Sequence, residues 1–200
     1  LPYRTLLLLS IHFQQPSFAE KPAPFNHPGV LHSPSELNFV RGKIASGDEP
    51  WASAWQALIS HRWASLDHES RAHPNVVRGR RGKSSTGMRE LMDDSAAAYT
   101  HALHWSLSGS QAHANKTIEI LNDYARTLKS VEGHDARLLV GITGIHFVNA
   151  AELIAHRDTQ WQVADRERFA KMWREVLYPV IENFYPRANG NWDASLEIRK

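Results

Sequence analysis

Two asparagines and a tryptophan stand close together in the polar segment that follows the last long apolar stretch of the chain. The segment reads YPRANGNWDAS over residues 185–195. Proline tends to end a helix, glycine frees the backbone, and asparagine tolerates left-handed conformations. Asn189, Asn191 and Trp192 would therefore present amide groups and an indole at the mouth of a helical scaffold. The alternative is an ordinary helix end, where asparagine and glycine are common.

A second candidate is a basic loop over residues 78–85, which reads RGRRGKSS. Arg81 and Lys83 are its candidate binding residues, because an arginine can pair with a carboxylate through two parallel hydrogen bonds. A phosphate-binding loop is excluded, since only Gly79 and Gly82 precede the lysine and the required glycine spacing is not met. The alternative is a solvated loop without a ligand.

The histidines give weaker signals. His101 and His104 lie three positions apart, as two metal ligands on one helix face would. No third ligand stands at a recognisable spacing from them, so the sequence predicts no metal and no cofactor. His27 and His32 flank a Pro-Gly turn and are interpreted as structural.

The elements that must position these residues are helices, and no strand signal competes with them. Ser33 opens a capping box and is followed by a proline at the first helical position. Gly47 ends this helix, and Asp48 is expected to cap the next one, whose apolar stripe runs to Trp63. Residues 67–87 carry few apolar anchors and are interpreted as a long loop.

Apolar residues at helical spacing predict four more helices, which begin near Met88, after Gly109-Ser110, near His134 and near Asp165. The helix over residues 134–156 is apolar on most sides, so other helices should enclose it. His146 and Asn149 lie on this helix and can line a cleft, with core roles as the alternative. Pro179 is expected to kink the last helix, which extends to about residue 185.

This order of helices predicts an all-α fold built from antiparallel helical hairpins. A bundle, a solenoid and a toroid of paired helices all meet that description. No fixed repeat period is present, which disfavours the solenoid. In a toroid the inner helices direct their ends and loops at a central cleft, and such loops carry catalytic groups.

Composition limits the class of protein and of partner. The 200 residues are 42% hydrophobic and 22% charged, which is typical of one globular core. The absence of cysteine excludes disulfides, zinc-thiolate sites and thiol nucleophiles. The net charge of +2 and the 12 histidines favour an anionic partner. Nucleic acid is disfavoured, because the basic residues form one loop and no stripe with aromatic residues. The oligomeric state stays open.

The N-terminal residues are similar to a secretory signal. Arg4 precedes a short apolar run over residues 6–11, and Ser17 and Ala19 supply small residues at alternate positions. Residues 1–19 are therefore expected to be the remnant of a signal peptide, and the protein to be secreted or periplasmic, with no membrane partner. The run is too short to span a bilayer. A buried core segment is the alternative.

Several segments, taken in order, resemble the alginate lyase superfamily of secreted α/α-toroid polysaccharide lyases. They read HPGVLHS at 27–33, GDEPW at 47–51, LMDDSAAAY at 91–99, ALHW at 102–105, NAAEL at 149–153 and NGNW at 189–192. The resemblance covers residues 25–195. It implies an enzyme that cleaves a uronic-acid polymer, alginate or a related polyuronate, by β-elimination. It also implies that residues 20–200 form part of an (α/α) toroid that is incomplete at its C-terminal end.

The resemblance assigns roles to the candidate residues. In the elimination the C6 carboxylate is neutralised, a base removes the C5 proton, and an acid protonates the leaving O4. Asn191 matches the family asparagine that neutralises the carboxylate, and Trp192 stands where related lyases have a histidine. An indole there suits stacking on a sugar ring. The further expected substrate contacts are Asn189, Arg81, Lys83, His146 and Asn149.

The base, the acid and an arginine of the family are expected beyond Lys200. Two other functions stay open from the residues alone. One is a non-catalytic helical module that binds anionic polymers or a protein partner through the basic loop. The other is an α/α-toroid glycoside hydrolase, which would need a pair of catalytic carboxylates.

Overall fold

The computed structural model describes residues 26–79, 84–157 and 159–182. Its helices are α1 (Pro34–Ala45), α2 (Trp51–Ser60), α3 (Met88–Ser108), α4 (Gln111–Thr127), α5 (Ala136–Ala155), α6 (Val163–Met172) and α7 (Tyr178–Glu182). A 3₁₀ turn at Arg62–Ala64 follows α2, and a π-helical turn at Trp173–Leu177 joins α6 to α7. The two strands are β1 (Asn75–Arg78) and β2 (Ser130–Gly133). Helices dominate, which confirms the predicted all-α class.

Local sequence explains where the first helix begins and ends. The Ser33 hydroxyl accepts from the Glu36 N–H at 3.2 Å, and the Glu36 carboxylate accepts from the Ser33 N–H at 2.8 Å. The predicted capping box is therefore confirmed. Gly47 follows the helix with a φ of +71°. The predicted cap at Asp48 is wrong, because its carboxylate accepts from the Lys43 ammonium at 2.8 Å and α2 begins without a side-chain cap.

A parallel strand pair begins inside the segment predicted to be a long loop. β1 pairs with β2, with Val76 beside Val131, and both valines are buried. Gly133 has a φ of +105°, and a Cβ at this position would lie 2.2 Å from the carbonyl oxygen of Arg78. Only glycine fits there. The expectation of no strand is therefore wrong, since strands of four residues are too short to show a period of two.

α5 is the central helix of the described fold, as its composition predicts. It packs most extensively against α3, and Leu139, Phe147 and Ile154 on it are fully buried. Gly144 makes room for Trp173, because a Cβ there would lie 2.7 Å from the indole ring. By length and composition alone α5 could cross a membrane, and more than half of it is buried inside the protein. Its burial accounts for its apolar character.

The last predicted helix is divided within the described residues. α6 ends at Met172, and the π-helical turn precedes α7. Pro179 has no backbone N–H to bond to the carbonyl of Glu175, and a π-helical turn widens the backbone directly before it. The kink expected at Pro179 stays a prediction, and the structure shows a π-helical turn before this residue.

His101 and His113 form a buried pair between α3 and α4. Their Nδ1 atoms lie 2.7 Å apart, and His101 is fully buried. Burial lowers the pKa of His101 to about 3, with the charge of His113 contributing, and burial lowers the pKa of His113 to about 4. Both rings are therefore neutral at physiological pH, and one Nδ1–H donates to the other Nδ1.

We expect the free energy of unfolding to fall as the pH is lowered from 6.5 towards 3. Unfolded histidine binds protons below its ordinary pKa of 6.5, whereas folded His101 stays neutral down to about pH 3. The stability is therefore complete above pH 6.5 and declines towards pH 3. Between pH 6.5 and 5 the loss due to His101 alone is about 2 kcal/mol.

Urea unfolding at pH 7 and pH 5 measures this dependence. His101→Leu should lose less stability between the two pH values than the wild type does. His134→Leu is the control, because the His134 side chain is 50% exposed, and it should keep the wild-type difference. Equal differences in His101→Leu and the wild type would contradict the assignment.

Candidate functional site

Two of the residues predicted to form the site, His146 and Asn149, lie in the described part of the chain. The others lie outside the described residues, and these are Asn191, Asn189, Trp192, Arg81 and Lys83. Within the described residues, the candidate site therefore consists of His146, Asn149 and the side chains around them.

His146 belongs to a group of four polar side chains, which we call the α3–α5 cluster: His32, Ser95, Tyr99 and His146. Ser95 and Tyr99 lie four positions apart on α3, where the helical repeat gives them one face. The rings of Tyr99 and His146 stack with 6.0 Å between their centroids. The Tyr99 hydroxyl lies 2.5 Å from Nε2 of His32, which precedes α1. The packing of α3 on α5 thus joins three distant parts of the chain.

The titratable groups of the α3–α5 cluster are uncharged at neutral pH. Burial lowers the pKa of His32, and the nearby Glu36 carboxylate opposes that shift only in part. Burial also lowers the pKa of His146 and raises the pKa of Tyr99 to about 12. The cluster therefore offers one phenol and two neutral imidazoles, which donate and accept hydrogen bonds without carrying charge.

Ser95 indicates which nitrogen of His146 carries the proton. The Ser95 hydroxyl donates to the Met92 carbonyl at 3.1 Å, so its oxygen is left to accept from Nδ1 of His146 at 3.4 Å. With the proton on Nδ1, Nε2 of His146 keeps its lone pair. His146 can therefore accept a hydrogen bond from a ligand at Nε2.

Asn149 lies one helical turn beyond His146 on α5. It is 1% exposed, its side-chain oxygen accepts from the Leu31 N–H at 3.1 Å, and its amide nitrogen donates to the Ile145 carbonyl at 2.8 Å. The side chain therefore fixes the segment before α1, which carries His32 to Tyr99. The geometry assigns Asn149 to positioning, and its direct contact with substrate stays a prediction.

Asp94 holds the connection between α2 and α3 in place. Its carboxylate is fully buried and accepts three hydrogen bonds, from the Tyr124 hydroxyl at 2.9 Å, the Arg71 N–H at 2.8 Å and Nε2 of His68 at 2.8 Å. The adjacent Asp93 accepts from the Trp63 indole at 3.3 Å. These carboxylates are structural groups, because protein donors occupy them.

The sequence did not identify Tyr99 as a site residue, and it favoured a structural role for His32. The two residues are 67 positions apart, so no local spacing connects them. Both lie in the segments that carry the family resemblance, at 27–33 and 91–99. Those segments were the available signal for this part of the site.

Comparison with known proteins relates this chain to one family. The model of a protein family described as alginate lyase matches residues 46–196, which is well over half of the chain. The matched range includes α3, α5 and the segment from Asn189 to Trp192. No curated protein and no solved structure matches the chain.

Proposed function

Since the chain belongs to the alginate lyase family, we propose that it is a polysaccharide lyase that cleaves alginate or a related polyuronate by β-elimination. Family membership supports a lyase function in general. That the substrate is a uronic-acid polymer and that the reaction is a β-elimination are our proposal. The observation that carries it is the match itself, which spans both Asn191 and the two helices of the α3–α5 cluster.

Asn191 supplies the chemistry that the reaction needs first. The proton at C5 of a uronate is weakly acidic while the neighbouring carboxylate keeps its charge. A carboxamide N–H that donates to this carboxylate stabilises the negative charge that grows there when the proton leaves. An amide does so without exchanging its own proton at neutral pH. In the same segment of the sequence, Trp192 provides a sugar-stacking surface and Asn189 a second donor.

The remaining residues bind the polymer. Arg81 and Lys83 provide positive charge for the carboxylates of neighbouring sugars. His146 accepts a hydrogen bond from a sugar hydroxyl at Nε2, and the stacked Tyr99 fixes the plane of its imidazole. Asn149 holds the backbone at Leu31, and His32 holds the Tyr99 hydroxyl. The described residues thereby serve binding, and the proposal gives none of them the role of base or acid.

The place of action is part of the same proposal. A polyuronate is an extracellular polymer, and the N-terminal pattern of Arg4, residues 6–11 and Ala19 favours export. We therefore propose a secreted or periplasmic enzyme whose partner is the anionic polysaccharide.

We expect His146→Ala to raise KM about tenfold and to change kcat much less. The variant loses the hydrogen bond from His146 to the sugar, and Tyr99 loses the ring that stacks on it. The lost hydrogen bond holds the substrate equally before and during the reaction, so its loss weakens binding and leaves the chemical step nearly unchanged. Initial rates over a range of polymer concentrations measure the two constants. His146→Gln is the matched control, because its amide restores a hydrogen-bonding group, and its KM should stay close to the wild-type value. An unchanged KM in His146→Ala would remove this residue from the binding site.

The test of the proposed function is the formation of an unsaturated sugar, which absorbs in the ultraviolet. Polymannuronate, polyguluronate and glucuronan are the polymers to compare. A reducing-sugar assay on the same samples separates the alternatives, because a hydrolase releases reducing ends without ultraviolet absorbance. A binding module releases neither product.

A further inference from the structure

We propose that His27, Glu152 and His156 bind a divalent transition-metal ion of the zinc class. One ligand atom from each of the three side chains lies within 4.8 Å of the others. Glu152 and His156 lie one turn apart at the C-terminal end of α5, and His27 comes from the segment before α1. We call this group the α5-end cluster. The sequence predicted no metal, and the 125 positions between His27 and Glu152 explain why.

The side chains of the α5-end cluster have the chemistry that zinc prefers. Nδ1 of His27 lies 2.6 Å from one carboxylate oxygen of Glu152, and Nε2 of His156 lies 3.6 Å from the other. Two imidazoles and one carboxylate form a recurring zinc ligand set that leaves a fourth position for water. The exposed fractions of His27, Glu152 and His156 are 36%, 16% and 39%, so an ion can reach all three.

The backbone that carries His27 is held on α5 by hydrogen bonds of its own. The Gly29 N–H donates to the Glu152 carboxylate at 3.1 Å, and the Leu31 N–H donates to Asn149 at 3.1 Å. The first of these bonds also orients the carboxylate, as outer hydrogen bonds do at known metal sites. The ligands from the two segments are therefore brought together by the fold.

One side chain must turn before the ligands converge on an ion. The rings of His27 and His156 are stacked, with 3.4 Å between centroids and 12° between planes, so their nitrogen lone pairs lie in two nearly parallel planes and cannot meet at one ion. His156 directly follows α5, and its exposed ring can rotate about its side-chain bonds.

The bound ion would tie residues 27–32 to the end of α5. His32 lies in this segment and contacts Tyr99, so the ion would also steady one side of the α3–α5 cluster. Arg166 lies close to His156, and its positive charge limits the affinity for a cation. The site is therefore expected to bind zinc reversibly, so that a chelator removes the ion.

The experiment uses the full chain without a histidine tag, stripped of metal with a chelator and titrated with Zn²⁺ by calorimetry. We expect one equivalent of zinc to bind. Glu152→Gln, His156→Ala and His27→Ala should each weaken binding about tenfold or more. Glu152→Gln keeps the shape of the side chain and an acceptor for Gly29. His134→Ala is the control, since this exposed imidazole lies before α5 and should leave the affinity unchanged.

Cobalt supplies a second readout, because Co²⁺ bound to nitrogen and oxygen ligands in a tetrahedral site absorbs strongly in the visible. The wild type should show these bands, and Glu152→Gln should lose them. The proposal is overturned if the wild type takes up no stoichiometric zinc. It is also overturned if His27→Ala binds zinc as the wild type does, because the ion would then not join the two segments.

Discussion

Replacing Asn191 by alanine should lower kcat about 10²–10³-fold, which is the usual effect of removing one hydrogen-bond donor from a developing anion. The amide acts on the uronate carboxylate most strongly when the C5 proton leaves, so the loss falls on the transition state. KM should change much less, because the polymer is held by other groups along the chain. Initial rates of ultraviolet absorbance measure both constants.

The matched control for Asn191→Ala is Asn115→Ala. Asn115 is an exposed asparagine of α4 whose side chain accepts from Gln111 at 2.9 Å. Its replacement should leave kcat and KM at wild-type values. Asn189→Ala should have a smaller effect than Asn191→Ala, since Asn189 only shares the donor role. A near-wild-type kcat in Asn191→Ala, with helical content confirmed by circular dichroism, would contradict the assignment.

Asp94→Ala should lower the free energy of unfolding by about 3–5 kcal/mol. The Asp94 carboxylate is fully buried and receives hydrogen bonds from Tyr124, Arg71 and His68. Alanine leaves the buried Tyr124 hydroxyl without its acceptor, which costs about 1–3 kcal/mol. It also removes the acceptor of the part-buried bonds from the Arg71 N–H and His68. The connection between α2 and α3 would also lose one of its attachments to α3, while the bond from the Trp63 indole to Asp93 remains.

Urea unfolding at neutral pH measures this change. Glu119→Ala is the control, because Glu119 is 54% exposed and its pair with Lys116 lies on the surface of α4. Such pairs contribute little, and the control should stay within about 0.5 kcal/mol of the wild type. Asp94→Asn should fall between the two variants, since its amide oxygen keeps part of the acceptor capacity. A loss below about 1 kcal/mol in Asp94→Ala would contradict the role assigned to the buried carboxylate.

Helices could be predicted from the sequence where their signals are local. The capping box at Ser33 and the left-handed glycine at Gly47 act within a few residues, so their residue types suffice to place the ends of α1. The central position of α5 follows from its apolar composition. The strands β1 and β2 could not be found in this way, because each is short and its partner lies 55 positions away along the chain.

In the candidate site, too, the local features could be predicted from the sequence and the long-range contacts could not. The position of His146 on the apolar α5 could be predicted from the sequence, and its role in the site stays a prediction. Its contact with Tyr99 depends on the packing of α3 against α5, and the contact of Tyr99 with His32 joins residues 67 positions apart. Asp94 shows no local sign of burial, since its three donors come from separate parts of the chain. These relations depend on tertiary structure, which residue spacing does not reveal.

The most direct test of the central claim is the ultraviolet absorbance of a folded, full-length enzyme incubated with polymannuronate, polyguluronate and glucuronan. The proposed lyase function predicts that absorbance rises on at least one of these polymers, in step with new reducing ends, and that Asn191→Ala slows the rise about 10²–10³-fold. Reducing ends without absorbance, or no product from any of the three polymers, would contradict it.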